Sequence, residues 1–232
     1  DSAVAVSSVN SIKIANPQNG VKLTVKSVVD QPAISTSDDL ATIRAREVIT
    51  EVSHIELAAN SQLEKPLLLE RANLTGKPQA SRTLISCGAN SHATIILNNS
   101  GDAILSDEVE FDLAQGATLT FVSLQEWSSN AIHLGRQHAV ISKDATFNSV
   151  VVTVGGSLVR LLPTVEYSGP GSSADLQGLY FATDGQHLEH RLHVDHNVPN
   201  AKSRVNYKGA LAGDKAHTVW IGDVYIRSNA EG

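Results

Sequence analysis

Methionine is absent from the 232 residues, and cysteine occurs once, at Cys87. A single thiol cannot close an internal disulfide. No CxxC pair or Cys/His spacing of a structural zinc site accompanies it, so a reducing compartment is the simplest expectation. Aromatic residues are scarce at 4%, although 41% of the chain is hydrophobic. The core must therefore be built from Val, Ile, Leu and Ala, which suits thin, repetitive β layers. Long apolar runs are also missing: the stretch 149–154 falls far short of the roughly 20 residues of a membrane-spanning helix, so no membrane partner is expected. Positive charge is in deficit, with 18 Lys and Arg against 24 Asp and Glu and a net charge of -6. That balance argues against a nucleic-acid partner. Residues 1–10 lack the basic and apolar regions of a secretory signal. With no initiator methionine, the chain reads as processed or cut from something longer.

Two regions are expected. Residues 1–77 are irregular, with an alternating strand at 21–25, a break at Gln31-Pro32 and one helix. Ser37 or Asp38 can cap that helix, and Leu40, Ile43, Val48 and Ile49 give it an apolar face through residues 38–52. Residues 78–232 form the core, made of short β runs separated by Gly, Asn, Asp and Ser.

Those runs recur. Ala93, Ala117, Ala145, Ala174, Ala201 and Ala216 precede successive β runs, and most of their separations fit one or two units of a mid-teens repeat. Very short strands with Gly and Asp corners that cannot bury their own face demand stacked neighbours. The expected fold is all-β, a parallel β-helix or β-solenoid with a small N-terminal α/β region. A two-sheet sandwich is the competing architecture.

The densest ionisable cluster is His187-Leu188-Glu189-His190-Arg191-Leu192-His193-Val194-Asp195-His196, with four histidines three apart. In an extended segment His187 and His193 share a face with Glu189, Arg191 and Asp195, and His190 and His196 take the other. Neutral imidazoles beside a carboxylate suit zinc, iron or nickel, so these four histidines are candidate metal ligands. Their division between two faces favours a structural role. Glu108, Glu110 and Asp112 alternate with Val109, Phe111 and Leu113. Three carboxylates on one face could hold calcium or supply acid and base to a polysaccharide enzyme, but a half-buried strand with an acidic solvent face is the preferred reading. Cys87 has no Lys, Arg or His within two residues to lower its pKa and reads as a buried filler. No GxSxG elbow, HExxH or phosphate-cradling glycine loop is present.

The segments Leu124-Gln125-Glu126-Trp127, Val154-Gly155-Gly156-Ser157, Gly178-Leu179-Tyr180-Phe181, Gly185-Gln186-His187, Tyr207-Lys208-Gly209 and Trp220-Ile221-Gly222-Asp223 resemble the SufB/SufD family of iron-sulfur cluster assembly scaffolds. The SufD branch, as found in actinobacterial-type sequences, is the nearer match. The resemblance is dense from about residue 101 onward. It implies a right-handed parallel β-helix and a cytoplasmic, non-catalytic scaffold subunit that supports iron acquisition. The implied partners are a SufB-like scaffold and a SufC-like ATPase, with an iron-sulfur cluster passing transiently through the complex. It assigns no cofactor, catalytic residue or cluster ligand to this chain, because the family's cluster-ligating histidine lies in a segment beyond Gly232. The context of Cys87 does not match the family's persulfide cysteine. The histidine run recurs in the family as part of the coil pattern. A coil cut in mid-stack is expected to self-associate. The alternative reading is a metal-binding cupin-like β protein using the run from His187 to His196.

Overall fold

The computed structural model describes residues 5–230. Its strands are β1 (Ser7–Ser8), β2 (Ile12–Ile14), β3 (Val21–Ser27), β4 (Glu51–Leu57), β5 (Leu67–Arg71), β6 (Pro78–Cys87), β7 (His92–Gly101), β8 (Ile104–Leu113), β9 (Thr118–Trp127), β10 (Ile132–Ile141), β11 (Thr146–Thr153), β12 (Leu158–Tyr167), β13 (Ser173–Ala182), β14 (His187–His196), β15 (Lys202–Leu211) and β16 (His217–Ile226). One helix, α1 (Leu40–Val48), sits between β3 and β4.

From β4 onward the chain alternates between two sheets. The first runs β16-β14-β12-β10-β8-β6-β4-β3, with β1 alongside β6, and the second runs β15-β13-β11-β9-β7-β5-β2. Every pairing among β4 to β16 is parallel; the antiparallel pairs are β3 with β4 and β2 with β5. This is a β-solenoid. Parallel neighbours two strands apart in sequence are incompatible with the antiparallel jelly roll of a cupin, and the sandwich alternative falls with it.

The register explains the repeat. Ile132 pairs with Leu158 and His187 with His217, offsets of 26 and 30 residues that bracket one full turn. The mid-teens unit is half a turn, one strand and one corner. The expected alanine alignment is partly out of phase: Ala93 pairs with Leu119, so the residue equivalent to Ala117 is Ser91. Likewise Ala174 pairs with Phe147, which makes Ser172 the equivalent of Ala145. Asn60, Asn90, Gly116, Asp144, Gly171 and Asn200 form the column just before those corner residues, all with positive φ. The amides of Asn90 and Gly116 donate to the carbonyls of Gln115 and Lys143 one turn on, each at 3.0 Å. A left-handed backbone at each level favours Asn, Asp or Gly there.

Strand side chains alternate inward and outward. In β9, Leu119, Phe121, Ser123, Gln125 and Trp127 are buried while Thr118, Thr120 and Val122 are not. Ile55, Ile85, Phe111, Ala139, Val165 and Val194 stack along the interior in register, all buried. Phe111 meets the Phe121 ring edge-on across the coil, centroids 4.6 Å apart.

Helix α1 is shorter than expected. Asp39, rather than Ser37 or Asp38, caps it by accepting from the Thr42 amide at 2.9 Å. Its buried side is Thr42 and Ala45, joined by Ile49 just past its end, whereas Leu40 and Ile43 are exposed. The expected apolar face was displaced because α1 lies on a charged surface, and only a small patch of Ala45, Ile49 and Ala80 packs beneath it.

Candidate functional site

The outer face of the first sheet carries the most concentrated chemistry. Arg82, Glu108 and Arg136 are register partners on β6, β8 and β10, and Glu110 partners His138 two positions further on. The segment 28–50, with α1, covers this face. Arg46 of α1 reaches down to Glu108 with two bonds of 2.8 and 2.6 Å, and Arg136 Nη1 reaches the same carboxylate at 2.5 Å. Arg82 binds Glu110 through Nε at 2.8 Å and also through Nη2. The cover is held by its backbone too: Arg82 donates to the carbonyls of Gln31 and Pro32, Arg136 to that of Thr36, and the Ile34 amide donates to Glu110 at 3.0 Å. Burial, then the neighbouring Glu108 charge, pushes the Glu110 carboxyl above its usual range against the pull of Arg82 and Arg46.

This corrects the expectation of an acidic solvent face. Glu108 and Glu110 are buried and neutralised by three arginines, and of the three carboxylates Asp112 alone is exposed. Sealed carboxylates cannot flank a sugar from both sides, so the polysaccharide reading loses its catalytic pair. Arg46, Arg82 and Arg136 were missed because the correct register, not the local sequence, brings them to the glutamates.

The histidine run forms β14, and its faces divide as expected: Leu188, His190, Leu192, Val194 and His196 point inward. His190 Nε2 lies 3.0 Å from Thr153 Oγ1 with its ring stacked on Tyr180, and its Nδ1 has no partner. Burial pushes His190 down to about 4. His196 contacts Ser203 Oγ at 2.8 Å. Outside, His187 shares a 2.7 Å contact with His217 and faces Glu189 at 3.1 Å, while His193 faces Asp223 at 3.1 Å. Arg160 and Arg191 also hold Glu189. Among the described residues no group of three or more His, Cys, Asp or Glu is arranged to hold a metal ion.

The interior contains a second ionic assembly that the sequence did not reveal. Asp107 lies inside β8, bound by Arg71 and, at 2.5 Å, by His133 Nε2. His133 Nδ1 faces Gln125 Oε1 at 2.8 Å, which also accepts from Trp127 Nε1 at 2.7 Å. Arg71 reaches Asn99 at 2.7 Å and Ser11 at 2.8 Å. Burial alone would raise the Asp107 carboxyl, but Arg71 and His133 hold it at about 2. Alternation within β8 was the available signal: Asp107 has the inward parity of Val109 and Phe111. Cys87 sits between Leu57 and Leu113 in an interior column, and burial pushes its thiol up to about 12. The filler reading of Cys87 agrees with that placement.

The fold and this face define a class: a parallel β-solenoid with one outer sheet sealed by an ion-paired, helix-bearing cover. The SUF system FeS cluster assembly SufBD core domain matches residues 70–232, and the chain belongs to this SufB/SufD family. An iron-sulfur cluster assembly SufBD family protein of Mycobacterium leprae is 47% identical over 146 residues, covering 60% of this chain and 37% of that one. Its Mycobacterium tuberculosis counterpart is 48% identical over the same span and coverage. A second Mycobacterium leprae protein of the same description is 23% identical over 194 residues, covering 81% of this chain and 22% of that one. The chain thus spans 37% of the length of the first two relatives. Family membership supports a role in iron-sulfur cluster assembly. Among the described residues no helix is long and apolar enough to cross a membrane.

Proposed function

We propose that this chain serves as the SufD-type, non-catalytic scaffold subunit of a cytoplasmic iron-sulfur cluster assembly complex, joined to a SufB-like scaffold and a SufC-like ATPase. The observation that carries the assembly role is the match of the SufBD core domain to residues 70–232; of two SufBD family proteins of one organism, the chain is 47% identical to one and 23% to the other. The chain sides with one of the two, and the resemblance of the segments around Gly178 to Phe181 and Trp220 to Asp223 to the SufD pattern supports the SufD reading. The cluster is cargo of the assembled complex in this reading, and this chain supplies shape and contact surface rather than a ligand.

Size-exclusion chromatography with light scattering, on the chain mixed with purified SufB-like and SufC-like partners, tests the proposal. A stable peak containing all three supports it. Separate elution of folded components overturns the scaffold role. Stoichiometric iron or zinc in the purified chain, lost on replacing His190 and His196 with the fold intact by circular dichroism, would favour a resident metal site instead.

A further inference from the structure

On the outer face of the first sheet, His187 of β14 and His217 of β16 are register partners. Their Nδ1 atoms are 2.7 Å apart and their ring centroids 4.6 Å. Both backbones are pinned where the strands begin: the His187 amide donates to the Ser157 carbonyl and the His217 amide to that of Gln186, each at 2.9 Å. Strands place side chains more firmly than loops do, so the coil itself sets the two imidazoles side by side. His187 is half-buried and His217 exposed, which leaves the pair open to solvent.

Glu189 decides where the protons sit. His187 Nε2 lies 3.1 Å from Glu189 Oε2. Burial alone would raise the Glu189 carboxyl, but hydrogen bonds from His187 and Arg191 hold it below its usual range. It is ionised at neutral pH and can only accept, so His187 Nε2 carries a proton and the neutral ring keeps its lone pair on Nδ1. The gap between the two Nδ1 atoms then contains a single proton, donated by His217 while the pair is neutral.

An imidazole that donates its second N–H to a carboxylate is arranged as a metal-ligating histidine, because the carboxylate fixes the tautomer and raises the basicity of the other nitrogen. Here the carboxylate is itself fixed, by Arg160 Nε at 3.1 Å and by Arg191. The charges balance, since Arg160 also pairs with Asp39 at 2.8 Å and two carboxylates meet two guanidinium groups. Imidazole nitrogens suit nickel, copper and zinc, whereas magnesium and calcium take oxygen ligands. Among the described residues no third His, Cys, Asp or Glu completes a metal-holding set, so water fills the remaining positions of an ion held here.

We propose that His187 and His217 form a two-histidine site for a divalent ion of the nickel, copper and zinc group, both ligating through Nδ1, with Glu189 orienting His187. The ion takes the place of the shared proton, which in the neutral pair moves to Nε2 of His217. The rings open slightly, because two nitrogens about 2.0–2.1 Å from a tetrahedral zinc are roughly 3.3 Å apart. The site is distinct from the inward-facing His190 and His196, and it does not depend on the assembly role above.

The test is titration of Zn²⁺ into the chain, read by long-range ¹H–¹⁵N spectra of the histidine rings, with Mg²⁺ as the hard-ion control. The expected result is saturation at a single Zn²⁺ per chain, with His187 and His217 both ligated at Nδ1 and protonated at Nε2, and no response to Mg²⁺. His217→Ala should remove the saturable site, and Glu189→Gln should weaken it by about tenfold. His193→Ala, on the same strand but facing Asp223, should leave it unchanged. Circular dichroism checks that each variant is folded. The proposal is overturned by the absence of saturable binding, by unchanged binding in His217→Ala or Glu189→Gln, or by a loss in His193→Ala equal to that in His217→Ala, which would mark scattered surface histidines only.

Discussion

Glu108 and Arg136 are register partners on neighbouring strands with their charged groups 2.5 Å apart, and Arg46 of the helix above closes on the same carboxylate. Removing the carboxylate leaves buried guanidinium groups without compensation, a change that typically costs about 3–5 kcal/mol. Glu108→Ala is therefore expected to lower the unfolding free energy measured in urea by that order. Arg46→Met removes only the half-exposed partner. Hydrogen exchange across residues 28–50 should accelerate in it while the amides of β8 and β10 stay protected; uniform acceleration would contradict a cover held from above.

Acid should weaken the fold in two stages. Burial depresses His138 to about 3 and His190 to about 4, both below their unfolded value of about 6.5. Above pH 6.5 both states are neutral and this contribution is complete. Below it the unfolded chain takes up protons that the folded chain refuses. Stability then falls with a slope of about 1.4 kcal/mol per pH unit for each histidine until its folded pKa is reached. Asp107, held at about 2, adds a lower stage of roughly 2–3 kcal/mol, present above its unfolded pKa and lost as pH falls from about 4 through 2. Urea titrations from pH 8 to about 2 read both stages. His190→Gln should flatten the slope between pH 6.5 and 4, and an unaltered slope would refute the assignment.

Cys87 should behave as an inert thiol. With its pKa at about 12 and its side chain sealed between Leu57 and Leu113, labelling by a disulfide reagent at pH 8 should follow unfolding. A rate independent of urea below the unfolding transition would show instead that the column opens locally.

The corner column gives a paired prediction. Gly116→Ala places a methyl group onto the Asn90 side-chain oxygen at a φ of 69°, and a loss of at least about 1 kcal/mol is expected. Asp144→Gly, one level further on at a φ of 57°, relieves the left-handed strain and should be neutral or mildly stabilising. Thermal melts of the two variants should move apart, and a shared direction would contradict the strain argument.

The coil was legible because its period is written in corner residues. The phase was not: alanine marks Ala117 and Ala145, but serine fills the same place at Ser91 and Ser172, and Ala93 and Ala174 imitate it two residues later. That slip hid the column of Arg82, Glu108 and Arg136, since partners 26 and 28 residues apart meet only in the right register. The faces of β14 were readable because alternation is local. The position of α1 was not, because amphipathic spacing presumes an apolar landing surface, and the surface beneath α1 is ionic. The resemblance located the family, while the arginines above Glu108 and Glu110 needed three-dimensional contact to emerge.

The uniform turn of 26 to 30 residues also constrains how such a chain can change over generations. Duplicating or deleting one whole circuit leaves every column continuous, with new neighbours of the same kind above and below. Adding a single residue within a strand reverses which of its side chains face the interior beyond that point, so length can vary in steps of a circuit or at the corners, but not within the strands.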